Sequence, residues 1–468
     1  MSNLVDRITS VANDSPAALL VGTLCLLFAG WLIVFLVGRR RGPKPAGAES
    51  EPQALKIEQG ARVTRIPAYR ARLQWHIGRT ELDAIGLLDD LMTMGLSLSA
   101  SDIHFNPSPS HTTVSFRVHG VLYELGIVPA HLYPRVVSRV KVLGSLTLYK
   151  RSTPQDGEIS LHGGKHKARV SLLPTNHGEK IVMRLASAEF QNAGIDSLGM
   201  DPVILARFKS MLESNQGMII VTGPTGSGKT TTMYAGLQHI NQQRGRSTNI
   251  VTLEDPIEFD FPQFSQTQIE PEAGMTFAVG LRSVLRQDPD VILVGEIRDD
   301  ETSEIAVRAA MTGHLIFTTI HADRAAGVFN RIIQMNVERY QVASAVRMVI
   351  SQRLCQALCP SCRVESALTA EQEQRFEFLG YKEVPEGPFF TATGCESCLH
   401  KGFEGRAAVY EVLPVTDAVR DLINEGEPTH RLEKLAIHEG MRTLFEHGIE
   451  RAREGDIPVD EVLRVLAI

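Results

Sequence analysis

The stretch GPTGSGKTTT, residues 223–232, fits the pattern G-x-x-x-x-G-K-[ST], and its residue types and spacing could hold phosphate. An apolar run, MIIV at 218–221, stands directly before it and a helical run, TTMYAGLQHI, directly after, the strand-to-helix setting that a phosphate loop requires. Gly223, Gly226 and Gly228 let backbone N–H groups curl around phosphate, helped by the positive end of the following helix. Lys229 is expected to reach the β- and γ-phosphates of a nucleotide and the Thr230 hydroxyl to ligate Mg²⁺. Pro224, Thr225, Ser227 and Thr231 complete the expected nucleotide-binding set. A ligand-free Gly-rich connection is the plain alternative, and the strand before and helix after weigh against it.

Three further stretches put polar groups at strand ends. In DPDVILVGEIRD an apolar strand over 291–294 delivers Glu296 at its C-terminal end, where ligands of open α/β sheets collect and a carboxylate can orient Mg²⁺ through water. In NIVTLEDPIEF a strand ends in Glu254, Asp255 and Glu258 around a proline-fixed turn, so that one of these carboxylates can polarise an attacking water. In HLIFTTIHA, His314 precedes and His321 follows a strand, and either imidazole could contact a γ-phosphate. Taken alone, each histidine is more often structural than functional; four polar strand ends together favour function.

Cys359-Pro-Ser-Cys362 and Cys395-Glu-Ser-Cys398 form two C-x-x-C knuckles separated by thirty-two residues. Four thiolates suit Zn²⁺ in a closed structural site that staples a loop-rich insert. A redox role lacks a thioredoxin-like unit around the pairs, and Cys355 and His400 are nearby bystanders.

These groups need a scaffold, and 468 residues are enough for about three folded units. A hydrophobic content of 43% and a charged content of 22% are those of a globular protein, while a formal net charge of -6 argues against a polyanion-binding surface. No direct nucleic-acid contact is expected. Residues 17–37 carry no charge and as a helix reach about 30 Å, the thickness of a bilayer core. The positive charges Arg39, Arg40, Arg41 and Lys44 follow the run, so it reads as a single-pass transmembrane helix with the catalytic part in the cytoplasm, rather than as a signal peptide or a buried core helix. Disulfides are disfavoured in that compartment.

Around the helix we read a tail at 1–16 and a flexible linker at 38–78, poor in apolar periodicity. A small α+β domain at 79–195 opens with an amphipathic helix (Leu82, Ile85, Leu88, Leu91, Met92) and continues in period-2 strands. An α/β core at 196–354 follows, with short apolar runs alternating with helical stretches, as in a mostly parallel sheet covered on both faces. A cysteine insert occupies 355–413 and a helical region 414–468.

The boxes GPTGSGKTTT, TLEDPIEF, LRQDPDVILVGEIRD and TGHLIFTTIHA occur in this order, and together they resemble the motor ATPases of type II secretion and type IV pilus assembly. ASDIHFNPS, FRVHGVL, PQDGEIS, RVSLLPTNHGEKIVMRL and GMRTLFEHGIERAREG extend the resemblance over roughly residues 79–468. The resemblance implies a RecA-like P-loop ATPase domain preceded by a PAS-like domain, ATP and Mg²⁺ as cofactors beside Zn²⁺, and a homo-hexameric ring. It places the catalytic glutamate at Glu258, the Mg²⁺-associated acid at Glu296 and the family's histidines at His314 and His321. It also implies arginines supplied by the small domain, best matched by Arg169 and Arg184 and less well by Arg117, for which surface ion pairs are the alternative. Four-cysteine inserts are typical of secretion and extension motors rather than retraction motors.

The implied activity is a motor at the inner membrane that couples MgATP hydrolysis to domain rotation and turns a platform protein adding pilin or pseudopilin subunits. A motor for DNA uptake or transfer, and a non-hydrolysing ATP-binding membrane scaffold, are the alternatives. Two departures stand out: membrane helix and linker occupy the place where many members carry a further docking domain, and His119 stands where an acidic residue is usual.

Overall fold

A computed structural model describes residue 55 and residues 63–79, 83–161, 166–185, 194–381 and 385–467. The expected tail and membrane helix, and most of the expected linker, lie outside the described residues. Among the described residues no helix is long and apolar enough to cross a membrane.

The last part of the expected linker is instead folded. Helix α1 (Ile66–Ile77) buries Ile66, Tyr69, Leu73 and His76, spaced three or four apart along one face. Pro67 suits its first turn, where no N–H partner is lost. Helix α2 (Ala84–Ser97) starts at Asp83, whose carboxylate accepts from the N–H groups of Ile85 and Gly86. Its buried stripe runs through Leu87, Leu88, Leu91, Met92 and Met94, whereas Ile85, placed by sequence on the apolar face, is 52% exposed in the first turn.

Strands β1 (Ala100–Pro107), β2 (His111–Val118) and β3 (Val121–Pro129), helix α3 (Tyr133–Leu143), and strands β4 (Gln155–Leu161), β5 (His166–Thr175) and β6 (Gly178–Leu185) complete the small domain. The strands pair antiparallel in the order β3-β2-β1-β6-β5-β4. Alternation is clean on β5, where Ala168, Val170 and Leu172 enter the core shared with the helices and Lys167, Arg169 and Ser171 face outward.

Helix α4 (Pro202–Leu212) leads to strand β7 (Gly217–Thr222) and helix α5 (Lys229–Arg244), followed by β8 (Ile250–Glu254), β9 (Ser265–Gln268), α6 (Phe277–Val284), β10 (Val291–Val294), α7 (Asp300–Met311) and β11 (Leu315–Thr319). Helices α8 (Gly327–Ile333) and α9 (Arg339–Ala345) then precede the long strand β12 (Val346–Leu358). With β15 (Phe403–Pro414) these strands form one sheet in the order β15-β12-β7-β11-β10-β8-β9, parallel except for β15 at one edge. β7 shows why it is apolar throughout: Met218 and Ile220 enter the core on one face, Ile219 and Val221 the core on the other.

The insert begins later than its sequence suggests. Cys355, read as its first residue, is inside β12 and pairs with Ala407 of β15. Polar residues such as Gln352 and Arg353 interrupt the apolar pattern of this strand, and they serve the loop beside it. Between the two strands come β13 (Arg363–Ser366), α10 (Ala370–Phe378) and β14 (Phe389–Ala392). Helices α11 (Asp417–Glu425), α12 (Thr429–His438), α13 (Leu444–Arg453) and α14 (Val459–Val465) end the chain.

Candidate nucleotide and catalytic site

The parallel strands β7, β8, β10 and β11 end on one side of the sheet, where Lys229, Glu258, Glu296 and His321 follow them. The phosphate loop leaves β7 at Thr222, whose hydroxyl donates to the Ala322 carbonyl at 2.8 Å and accepts from the Ala322 N–H at 2.9 Å. That pair fastens the segment after His321 to the start of the loop. Gly223 has φ +147°, and a Cβ there would lie 2.5 Å from the Gln352 carbonyl oxygen, so only glycine fits against β12. Lys229 Nζ donates to the carbonyls of Gly223 and Pro224 at 2.9 and 3.0 Å. Its burial lowers its pKa, with the Glu296 carboxylate pulling the other way.

Two of the acids at the end of β8 have different surroundings. Glu254 is buried and accepts from Thr252 Oγ1 at 2.6 Å, from Gln266 Nε2 at 2.9 Å and from the Tyr234 hydroxyl. Such a saturated carboxylate braces the loop. Gln266 and Gln268 of β9 brace it again, accepting from the N–H groups of Phe261 and Ile257. For Glu258, burial pushes the carboxyl pKa up, the charges of Arg169 and Arg184 pull it back and Glu254 adds to the rise. A carboxyl raised in this way is suited to accept a proton from water.

Glu296 follows β10 in a segment held on both sides: Gly295 N–H donates to Leu253 O at 2.8 Å, and Ile297 N–H donates to Thr319 O at 3.0 Å. Its carboxylate lies 2.5 Å from Arg298 and 3.7 Å from His321 Nε2. The hydroxyl of Thr230 at the start of α5 and the Glu296 carboxylate are hard oxygen donors, a set that fits Mg²⁺.

His314 is not brought to this side. It precedes β11, its Nδ1 lies 3.0 Å from the Ala309 carbonyl, and its own carbonyl accepts from Gly217 N–H at the start of β7. Five residues of strand separate it from the phosphate-loop side, or about 17 Å. Within one chain, only His321 of the two histidines meets the site.

The small domain presents a row of charges across five strands. In register, Arg117 of β2 faces Asp102 of β1, Asp102 faces Arg184 of β6, Arg184 faces Arg169 of β5, and Arg169 faces Glu158 of β4. Asp102 Oδ1 lies 3.1 Å from Arg184 Nε, and its Oδ2 3.9 Å from Arg117 Nε. Arg117 is also tied to its hairpin by a bond to Gly120 O. His119 sits in that hairpin turn at φ +50°.

The four cysteines also converge, with sulfurs all within 4.8 Å of one another and three pairs at 3.8–3.9 Å. A tetrahedron with Zn–S bonds of about 2.3 Å has edges of about 3.8 Å, so the cluster fits zinc. Burial pushes the thiols of Cys359 and Cys362 up, the latter to about 12. Burial also opposes ionisation of Cys398, but the N–H groups of Cys395 and Gly402 bring it down to about 7.

Sequence reasoning missed Asp102, Thr222 and Glu411. Glu411 of β15 is buried and accepts from Ala325 N–H at 2.7 Å and Leu444 N–H at 3.3 Å, tying the segment after His321 to the start of α13. Its only sequence signal is an acid inside the apolar run AVYEVLPV.

Residues 81–464 match the family model described as type II/IV secretion system protein. The type II secretion system ATPase E of Vibrio cholerae is 42% identical over 383 residues, covering 81% of this chain and 75% of that protein. The type IV pilus assembly ATPase PilB of Myxococcus xanthus is 39% identical over 382 residues, covering 81% of this chain and 67% of its own. Among solved structures, the pilus retraction motor PilT with bound ADP aligns with a TM-score of 0.55 at 25% identity over 81% of this chain and 96% of that one. The Legionella pneumophila ATPase DotB shares the fold, with a TM-score of 0.60 at 19% identity over 83% of this chain and 97% of its own. The match runs along nearly the whole folded chain, which belongs to the type II/IV secretion system protein family and is an ATPase.

Proposed function

We propose that this protein is a membrane-tethered, hexameric motor that uses MgATP hydrolysis to rotate its small domain against its α/β core, driving a platform protein that adds pilin or pseudopilin subunits. The observation that carries this reading is the placement of Glu258, an acid of the core, within the field of Arg169 and Arg184 of the small domain. Lys229 holds the β- and γ-phosphates, Glu258 takes the proton of the attacking water, and Thr230 and Glu296 hold Mg²⁺. The metal, when bound, neutralises charge on the phosphate oxygens. The arginines compensate charge at the γ-phosphate, so its loss weakens the hold of one domain on the other.

The zinc cluster staples the insert as a structural site. The RecA-like and PAS-like folds implied by the resemblance agree with the parallel sheet and with the helix-backed antiparallel sheet. The tether at 17–37 places both domains on the cytoplasmic side of the inner membrane.

The test is Mg²⁺-dependent ATP hydrolysis by the full-length protein across protein concentration, beside a cellular assay of secretion or fibre growth with wild type and Glu258→Gln. Hydrolysis that rises cooperatively with concentration, with secretion or fibre growth lost in the variant, is expected. Secretion or fibre assembly at the normal rate by Glu258→Gln would sink the proposal.

A further inference from the structure

Behind the phosphate loop lies Gln352 of β12, 1% exposed, in a strand whose neighbours are mostly apolar. Its Nε2 donates to the Ser227 carbonyl at 2.6 Å, and its Oε1 accepts from the Thr232 hydroxyl at 2.8 Å. A carbonyl can only accept, so the amide has one orientation compatible with both partners. One side chain therefore spans from the middle of the loop to the first turn of α5. The Gln352 carbonyl also backs Gly223, at the other end of the loop, and is itself held by Arg353 at 3.1 Å. Arg353 in turn donates to Asp323 O at 3.0 Å, two residues past His321.

A trans peptide points its C=O and N–H in opposite directions. Holding the Ser227 carbonyl back on β12 therefore turns the Gly228 N–H away from β12, towards the open side of the loop. A loop released from this bond could rotate that peptide and present an oxygen to an anion. Ser227 is itself buried, with no hydrogen-bond partner for its hydroxyl, so its own side chain does not fix the peptide. A satisfied core glutamine would require neither contact to be with the loop; here both are with it or with its helix.

We propose that Gln352 is a positioning residue for nucleotide binding: through Ser227 O and Thr232 Oγ1 it fixes the phosphate loop with its N–H groups facing the anion. This rests on the reading of residues 223–230 as the nucleotide site. The clasp acts on the loop before nucleotide arrives, so its loss weakens binding rather than only slowing hydrolysis.

The test is MgADP binding by the full-length protein, measured by titration calorimetry for wild type, Lys229→Ala, Gln352→Leu, Gln352→Glu, Thr232→Val and Thr232→Ser. Gln352→Leu and, at about pH 8, Gln352→Glu are expected to bind about tenfold more weakly than wild type, the effect of leaving buried partners unpaired. Protonation lets the introduced carboxyl donate to Ser227 O while accepting from Thr232. Its affinity relative to wild type should therefore recover as the pH falls to about 6, in the range where buried carboxyls titrate. Gln352→Leu should show no such recovery. Thr232→Val should weaken binding and Thr232→Ser restore it, and these conservative changes carry the test if a Gln352 variant does not fold.

Wild-type affinity in the folded Gln352 and Thr232 variants overturns the inference, as does a Gln352→Glu defect that is independent of pH. Wild type binding no better than Lys229→Ala would overturn the nucleotide reading and the inference with it.

Discussion

Arg169 and Arg184 stand directly opposite each other on β5 and β6, and both positive charges act on the Glu258 carboxyl of the α/β core. Burial raises the pKa of that carboxyl and the arginines lower it. Removing either arginine should raise the pKa further. Because the carboxylate is the active form of a general base, the acid limb of the hydrolysis profile should move to higher pH in Arg169→Ala and Arg184→Ala, by up to about one unit. A pH–kcat profile checks this; an unmoved limb would show that the arginines do not reach Glu258 during turnover.

Glu258→Gln should reduce ATP hydrolysis about 10²- to 10⁴-fold while leaving nucleotide binding intact, because it removes a proton acceptor and not a phosphate contact. Lys229→Ala should lose binding itself. Single-turnover hydrolysis beside equilibrium binding separates the two outcomes, and equal loss of binding in both variants would contradict the assigned roles.

The purified protein should contain one zinc per chain by elemental analysis, and Cys362→Ser or Cys398→Ser should remove it. Thiolates bind zinc and protons compete for them, so affinity should fall as pH falls. Competition with a chromophoric chelator across pH measures the slope; a pH-independent affinity would point to a different ligand set.

Asp90 should govern the docking of α1. Its carboxylate lies 2.7 Å from His76 Nε2 and 2.5 Å from Arg72 Nε. Burial alone would raise its pKa, but these two partners bring it below the ordinary carboxylate value of 3.8. An acid whose folded pKa is depressed adds stability that is fully present above its unfolded pKa and lost as pH falls through the folded one. Asp90→Asn should therefore cost on the order of 2 kcal/mol at neutral pH and weaken acid sensitivity below about pH 4. Trp75 fluorescence, reporting from α1 itself, follows the loss; an unchanged acid transition in Asp90→Asn would rule it out.

Much of the site was legible because its chemistry is local. The phosphate loop needs a glycine spacing and a lysine within eight residues, and Glu296 needs a strand immediately before it. The knuckles were equally plain. His314 and His321 flank the same strand, and the parallel pairing of β11 with β7 sends only the one at its C-terminal end, His321, to the phosphate-loop side. Helix α1 carried a readable spacing of Ile66, Tyr69 and Leu73, but its polar neighbours made it look like linker. His76 supplied no apolar signal, and its burial depends on an acid fourteen residues away.

By itself the sequence determined most of the elements of the α/β core, the phosphate-loop spacing, the paired-cysteine spacing and the family, because each is written in residues close along the chain. Tertiary structure alone decided which acid after β8 is saturated and which is poised, since Glu254 and Glu258 differ only in their surroundings. It also aligned Arg184 with Asp102, eighty-two residues away, and set Gln352 behind a loop more than a hundred residues earlier. Such relations depend on strand register and sheet order, which arise when distant apolar faces are buried together and cannot be read from local spacing.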